Sequence, residues 1–126
     1  MTYSITYQTD GGVITTYSGI VTDHDIISCA KERTESPDTL KEFKYFLSDF
    51  TDVNEFNVSS NAIKTIAHLT VQASKANKNL IIVVIVPTDL EYGMSRMWAV
   101  YSDESNLKLH MARTKEEALE YLNEQL

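Results

Sequence analysis

The chain has 126 residues, 43% of them apolar and 23% charged, with a formal net charge of −7 at pH 7. That length suits one domain, 1–126, able to bury a core without staples, and the acidic balance opposes non-specific binding to nucleic acid or anionic membranes. A single cysteine, Cys29, forms no intramolecular disulfide and no cysteine zinc cluster, and reads as a small buried hydrophobe in a reduced, cytoplasmic setting.

The first elements are strands. "YSITYQ" (Tyr3 to Gln8) and "VITTYSG" (Val13 to Gly19) are rich in β-branched and aromatic residues. Between them Asp10-Gly11-Gly12 supplies the positive φ angles of a hairpin. No basic and apolar leader precedes Tyr3. A helix follows, opened by Thr22 with Asp25 three residues on, with Ile26, Ile27 and Ala30 along one side. It should stop near Ser36-Pro37, because the residue before proline avoids the helical region. "FKYFLSDF" (Phe43 to Phe50) reads as the third strand, with Asp49 and Asp52 at its carboxyl end.

"FNVSSNAI" (Phe56 to Ile63) then leads into a second helix, Ser60 to Lys75, whose Ile63, Ile66, Ala67, Thr70 and Ser74 follow the helical period. "LIIVVIVP" is a continuous β-branched run, the pattern of a central parallel strand buried on both faces. At Leu80 to Val86 it is too short to cross a bilayer, so no membrane insertion is expected. A third helix, capped by Thr88 or Asp89, carries Leu90, Met94, Met97, Trp98 and Tyr101 on one stripe expected to be core. "LKLHMA" is the last strand and "TKEEALEYLNEQL" the last helix, with Thr114 and Glu117 as a capping box. The order β-β-α-β-α-β-α-β-α predicts an α/β fold: a single five-stranded mixed, mostly parallel sheet with four helices, strands in sequential order and the first one antiparallel at the edge.

The glycines form neither a P-loop nor a dinucleotide-binding fingerprint, and no nucleophile elbow occurs. His24, His68 and His110 fall on different elements, so neither a metal nor another cofactor is expected. Asp49 and Asp52 stand where open α/β sheets usually bind ligands, as loop caps or as ligand contacts. In the third helix, Met97 and Trp98 suit an adaptable interface if exposed, or an apolar pocket if buried. Gly93 there costs about 1 kcal/mol relative to alanine, which suggests close approach of a backbone or ligand. Tyr92 and Arg96 share a second face, with Arg96 set to pair an anion, or else Glu91 or Asp89.

The hairpin, the strand "FKYFLSDF", the loop "FNVSSNAI" and its helix resemble the STAS domain of bacterial anti-sigma-factor antagonists. The stretches "YGMSRMWAVY" and "LKLHMARTKEEALEYL" are similar to the small SpoIIAA-like, STAS/SEC14-like branch. The resemblance implies a β-α superhelix and a non-catalytic regulatory module with a protein partner. In that family the motif F-x-D-S-S-G opens the helix and a partner kinase phosphorylates one of its serines. Here Val58 replaces the aspartate and Asn61 the glycine, leaving a degenerate loop of Asn57, Ser59, Ser60 and Asn61 in which Ser60 matches the acceptor. Physically, Ser59 can cap the helix, or Ser59 or Ser60 can carry a phosphate on its positive end. The alternative implied by the same branch is a carrier of a small apolar or lipid-like ligand, held near Met97 and Trp98. An enzyme using Asp49, Asp52 and a histidine is the third reading. Edge pairing through "YSITYQ" would make a homodimer.

Overall fold

In the computed structural model, which describes residues 2–126, the chain turns first around Asp10. The Asp10 carboxylate accepts a hydrogen bond from the Gly12 N–H at 3.0 Å, and Gly11 takes φ +90°, a left-handed conformation that favours glycine. This turn joins β1 (Tyr3–Tyr7) to β2 (Gly12–Thr22) as an antiparallel pair running from Tyr3 opposite Tyr17 to Tyr7 opposite Val13. The Tyr45 hydroxyl donates to the same carboxylate at 2.9 Å, and its ring lies against Gly12 where a side chain would stand. The hairpin is thereby fixed to the third strand.

After β2 come α1 (Asp23–Thr34), α2 (Pro37–Leu40), β3 (Tyr45–Asn57), α3 (Ser60–Ala76), β4 (Ile81–Ile85), α4 (Asp89–Tyr101), a 3-10 turn at Asp103–Ser105, β5 (Lys108–Ala112) and α5 (Lys115–Gln125). The sheet order is β1-β2-β3-β4-β5, parallel throughout except for β1 at its edge, as the element order predicts. Among the described residues there are five α-helices rather than four. The added one, α2, is a single turn with Pro37 in its first turn, capped by Ser36.

The largest departure lies in β3. It does not end at Phe50 but runs to Asn57, so Asp49 and Asp52 lie within the strand and not at its carboxyl end. Over one ladder β3 uses 13 residues against 11 in β2, with register shifts between Thr16 and Ser18 and between Gly19 and Ile20. Each shift is a bulge that gives β3 one extra residue and increases the twist. Phe50, Val53 and Phe56 therefore return to the core every third residue instead of every second.

The sheet is covered on both faces. Val13, Tyr17, Phe46, Phe50, Ile82 and Val84 pack under α1, α3 and α4, with Tyr17 and Phe50 stacked at 4.5 Å between ring centroids. Tyr45, Leu47, Ile81, Val83 and Ile85 pack on the other face with Ala118 and Leu122 of α5. All of β4 is buried, as its unbroken apolar run requires. No helix among the described residues is long and apolar enough to cross a membrane.

Candidate functional site

Parallel strands deliver the N-termini of α1 and α3 to one end of the sheet, where Thr22 pairs with Asn57. Ser59 is the N-cap of α3: its Oγ accepts from the Ala62 N–H at 3.2 Å. Asp23, the first residue of α1, receives two hydrogen bonds from Ser59. The backbone N–H donates to Oδ1 at 2.6 Å and the hydroxyl donates to Oδ2 at 2.7 Å. One carboxylate thus stands at the positive ends of two helices and joins residues 36 apart in sequence.

Val58 is buried beside this cap. It occupies the position before the cap, and Ile63 the fourth helical position, the two places of a hydrophobic staple, and both lie in the same core cluster. Val58 is therefore part of the packing of this junction. The adjacent Ser60 is exposed, and no hydrogen bond engages its hydroxyl among the described residues. Asn57 and Asn61 are exposed too, with the Asn57 amide donating to Glu55 at 3.1 Å. The two serines therefore divide: Ser59 is committed as donor and acceptor, and Ser60 is free.

The third helix differs from its sequence reading. Thr88, not Asp89, is its cap, bonded reciprocally with Glu91. The apolar stripe is core only in its middle, where Trp98 lies in the main cluster and Met94 and Met97 pack against it. Leu90 is 58% exposed and Tyr101 47%, Met94 and Met97 are half-buried, and only Trp98 is fully in the core. The residues turned inward are Glu91, Ser95, Trp98 and Ser102, at helical spacing, with Glu91 only 2% exposed. Trp98 anchors this side, its indole N–H donating to the Thr70 hydroxyl of α3 at 3.1 Å. The helix is turned so that Leu90 and Tyr101, together with Val100 at 72% exposure, face outward.

Other site expectations are corrected as well. Nothing lies within 4 Å of a Cβ built on Gly93, so no backbone closes on it. Arg96 is exposed and forms no ion pair among the described residues, and Asp89 pairs instead with Arg113 at 3.0 Å. The Arg113 guanidinium lies 4.3 Å from the centre of the Tyr92 ring and donates to the Pro87 carbonyl. In the last helix the Glu117 N–H donates to Thr114, but the Glu117 carboxylate accepts from the Arg113 N–H rather than from Thr114. Asp49 accepts from the Thr51 N–H at 2.9 Å, and Asp52 is exposed. No hydrogen bond joins either aspartate to a histidine among the described residues.

Trp98 also borders a cavity of about 70 Å³ between the sheet and helices α1, α3 and α4. Met97, Tyr92, Arg96, Asp49 and Asp52 do not line it. Arg33 and Ser48 do, and neither stands out in the sequence. Arg33 falls in the last turn of α1, where a cation has a simple dipole role, and Ser48 is one polar residue in a strand. Asp23 was hidden in the same way, among the acidic residues expected at any helix start.

No family model matches the chain, and no curated protein matches it. Among solved structures it is similar to the anti-sigma factor antagonist SpoIIAA in its unphosphorylated form. That likeness has a TM-score of 0.63 at 12% identity and covers 96% of this chain and 97% of that one. It is also similar to the Bacillus cell fate determinant SpoIIAA in the phosphorylated form, with a TM-score of 0.59 at 14% identity, over 95% of this chain and 98% of that one. The chain therefore has the SpoIIAA-like STAS fold over nearly its whole length.

Proposed function

We propose that this chain is a non-catalytic regulatory module that binds a protein partner through the exposed sides of α3 and α4, with Ser60 as the regulated position. The observation that carries this reading is the setting of α4, which buries Glu91 and Ser102 while leaving Leu90, Val100 and Tyr101 in solvent. Exposed apolar side chains at both ends of one helix suit a protein interface. Lys64 of α3 lies over the Tyr101 ring at 5.4 Å, which makes the face continuous with the exposed Ser60 and Asn61 side of α3.

Regulation at Ser60 follows from the chemistry of the junction. Asp23 takes the Ser59 N–H and Ser59 takes the Ala62 N–H, which leaves the first-turn N–H groups of Ser60 and Asn61 for an added anion. A phosphate on Ser59 would have to displace Asp23, whereas Ser60 gives up no hydrogen bond. Phosphorylation would add about −1.5 to −2 charges beside the partner face. The full-length likeness to an antagonist solved with and without phosphate supports a fold compatible with control by phosphorylation.

Phosphopeptide mass spectrometry on the chain isolated from its native host tests this. The expected phosphate is on Ser60, with Ser59 unmodified. Phosphate on Ser59 alone, or a Ser60 that stays unmodified while a serine kinase is active on the chain elsewhere, would remove Ser60 from the proposal.

A further inference from the structure

The cavity beneath α1 and α3 contains a guanidinium without an anion. Arg33 reaches in from the last turn of α1. Its Nη1 donates to the Ser48 hydroxyl at 2.9 Å, and its central carbon lies 5.2 Å from the centre of the Phe46 ring. Its Nε is buried and has no hydrogen-bond partner. Arg33 makes no ion pair among the described residues, in a chain whose formal charge is −7. A buried, unsatisfied donor on a permanent charge is costly to keep.

The strand pattern strengthens this reading. Ser48 points into the core between Phe46 and Phe50, 4% exposed, where the alternation calls for another apolar side chain. It accepts from Arg33 and holds the guanidinium over the ring. Most of the remaining wall is apolar, including Ile63, Ile82 and Val84. The cavity adjoins an outer hollow of about 370 Å³ through Thr34, Leu69 and Ala73, with Lys31 and Glu35 on the outer lining. The inner space is thus apolar, carries one oriented cation, and borders a larger opening.

We propose that this cavity binds a short-chain aliphatic monocarboxylate, its carboxylate on the Arg33 guanidinium and its tail against the apolar wall. Guanidinium and carboxylate match in planar geometry, and the free Nε supplies a donor for one oxygen. The volume sets the tail. It is about half that of a dry cavity that accepts benzene, which leaves room for about three carbons. Butanoate is the corresponding probe. This site is separate from the exposed faces of α3 and α4, and either proposal can fail without the other.

The experiment is a two-dimensional NMR titration of the full chain with butanoate and with 1-butanol, which has a similar tail and no charge. Butanoate is expected to saturate and to move the Trp98 indole and the Ser48 and Thr70 amides together. 1-Butanol should bind at least about tenfold more weakly, since charged hydrogen bonds carry the difference. Arg33→Gln should lower butanoate affinity by a similar factor while leaving the spectrum of a folded chain. Equal affinity for butanoate and 1-butanol would overturn the proposal, as would shifts confined to surface lysines. The comparison of the two ligands on the unaltered chain decides the matter even if Arg33→Gln does not fold.

Discussion

Replacing Asp23 by alanine should loosen the contact between α1 and α3 without disturbing either helix elsewhere. The substitution removes two charge-assisted hydrogen bonds, at 2.6 and 2.7 Å, both to Ser59. Such bonds contribute about 1.5–3 kcal/mol each when well buried. Asp23 is only half-buried, so water restores part of the loss, and Ser59 keeps its own bond from Ala62. The expected net destabilisation is about 1–2 kcal/mol, close to one charge-assisted bond. Urea unfolding should show it as a lower midpoint with unchanged slope, because the area exposed on unfolding does not change. Asp23→Asn retains one acceptor and should cost less than alanine. A double-mutant cycle with Ser59→Ala should return a coupling of about 1 kcal/mol. Additive effects, within about 0.3 kcal/mol, would refute the reasoning that this carboxylate ties the two helices together.

Four further outcomes follow from the geometry. Thr70→Val removes the acceptor of the buried Trp98 indole N–H and should destabilise by about 1–3 kcal/mol, read in denaturant unfolding followed by tryptophan fluorescence; an unchanged midpoint would contradict that bond. Gly93→Ala should stabilise by about 0.8–1 kcal/mol, because it adds helix propensity in open space. Gly12→Ala should destabilise by about 1–3 kcal/mol, since its Cβ would meet the Tyr45 ring; thermal unfolding of the pair should give opposite signs. The hydrogen bond from the Thr22 N–H holds the Asp25 carboxyl below the ordinary carboxylate value, helped by the side chains of Thr2 and Thr22 and opposed by burial. A depressed folded pKa stabilises above the unfolded value, and that contribution is lost as pH falls through the folded one. Asp25→Asn should therefore flatten the acid side of the stability profile, and a carboxyl titration by NMR at the ordinary value would contradict it.

How far the fold is legible in the sequence depends on how regular each element is. The Asp10-Gly11-Gly12 turn, the buried run of β4 and the capped helix starts at Thr22, Ser59 and Thr88 each follow from a few neighbouring residues, and together they give the strand order. The second half of β3 does not, because two bulges convert a period of two into a period of three at Phe50, Val53 and Phe56. A strand without alternation reads as a loop. The α4 stripe is legible only in part: Met94, Met97 and Trp98 meet the core as the period predicts, while the inward Glu91 and the indole bond to Thr70 leave Leu90 and Tyr101 outside it. Asp23 and Arg33 are invisible to local patterns altogether, since their partners lie on other elements and only the sheet brings them together.

The central claim is that the outward face of α4 meets a protein partner, and a change at Val100 tests it most directly. Val100 is 72% exposed, so Val100→Glu should leave the fold and the unfolding midpoint unchanged while placing a charge on the outward side of α4 beside Tyr101. The unaltered chain and Val100→Glu would each be isolated from the native host with whatever they bind, and the bound partner quantified by mass spectrometry. The account predicts a partner that accompanies the unaltered chain and is lost from Val100→Glu. A partner retained in full by a folded Val100→Glu chain would contradict it.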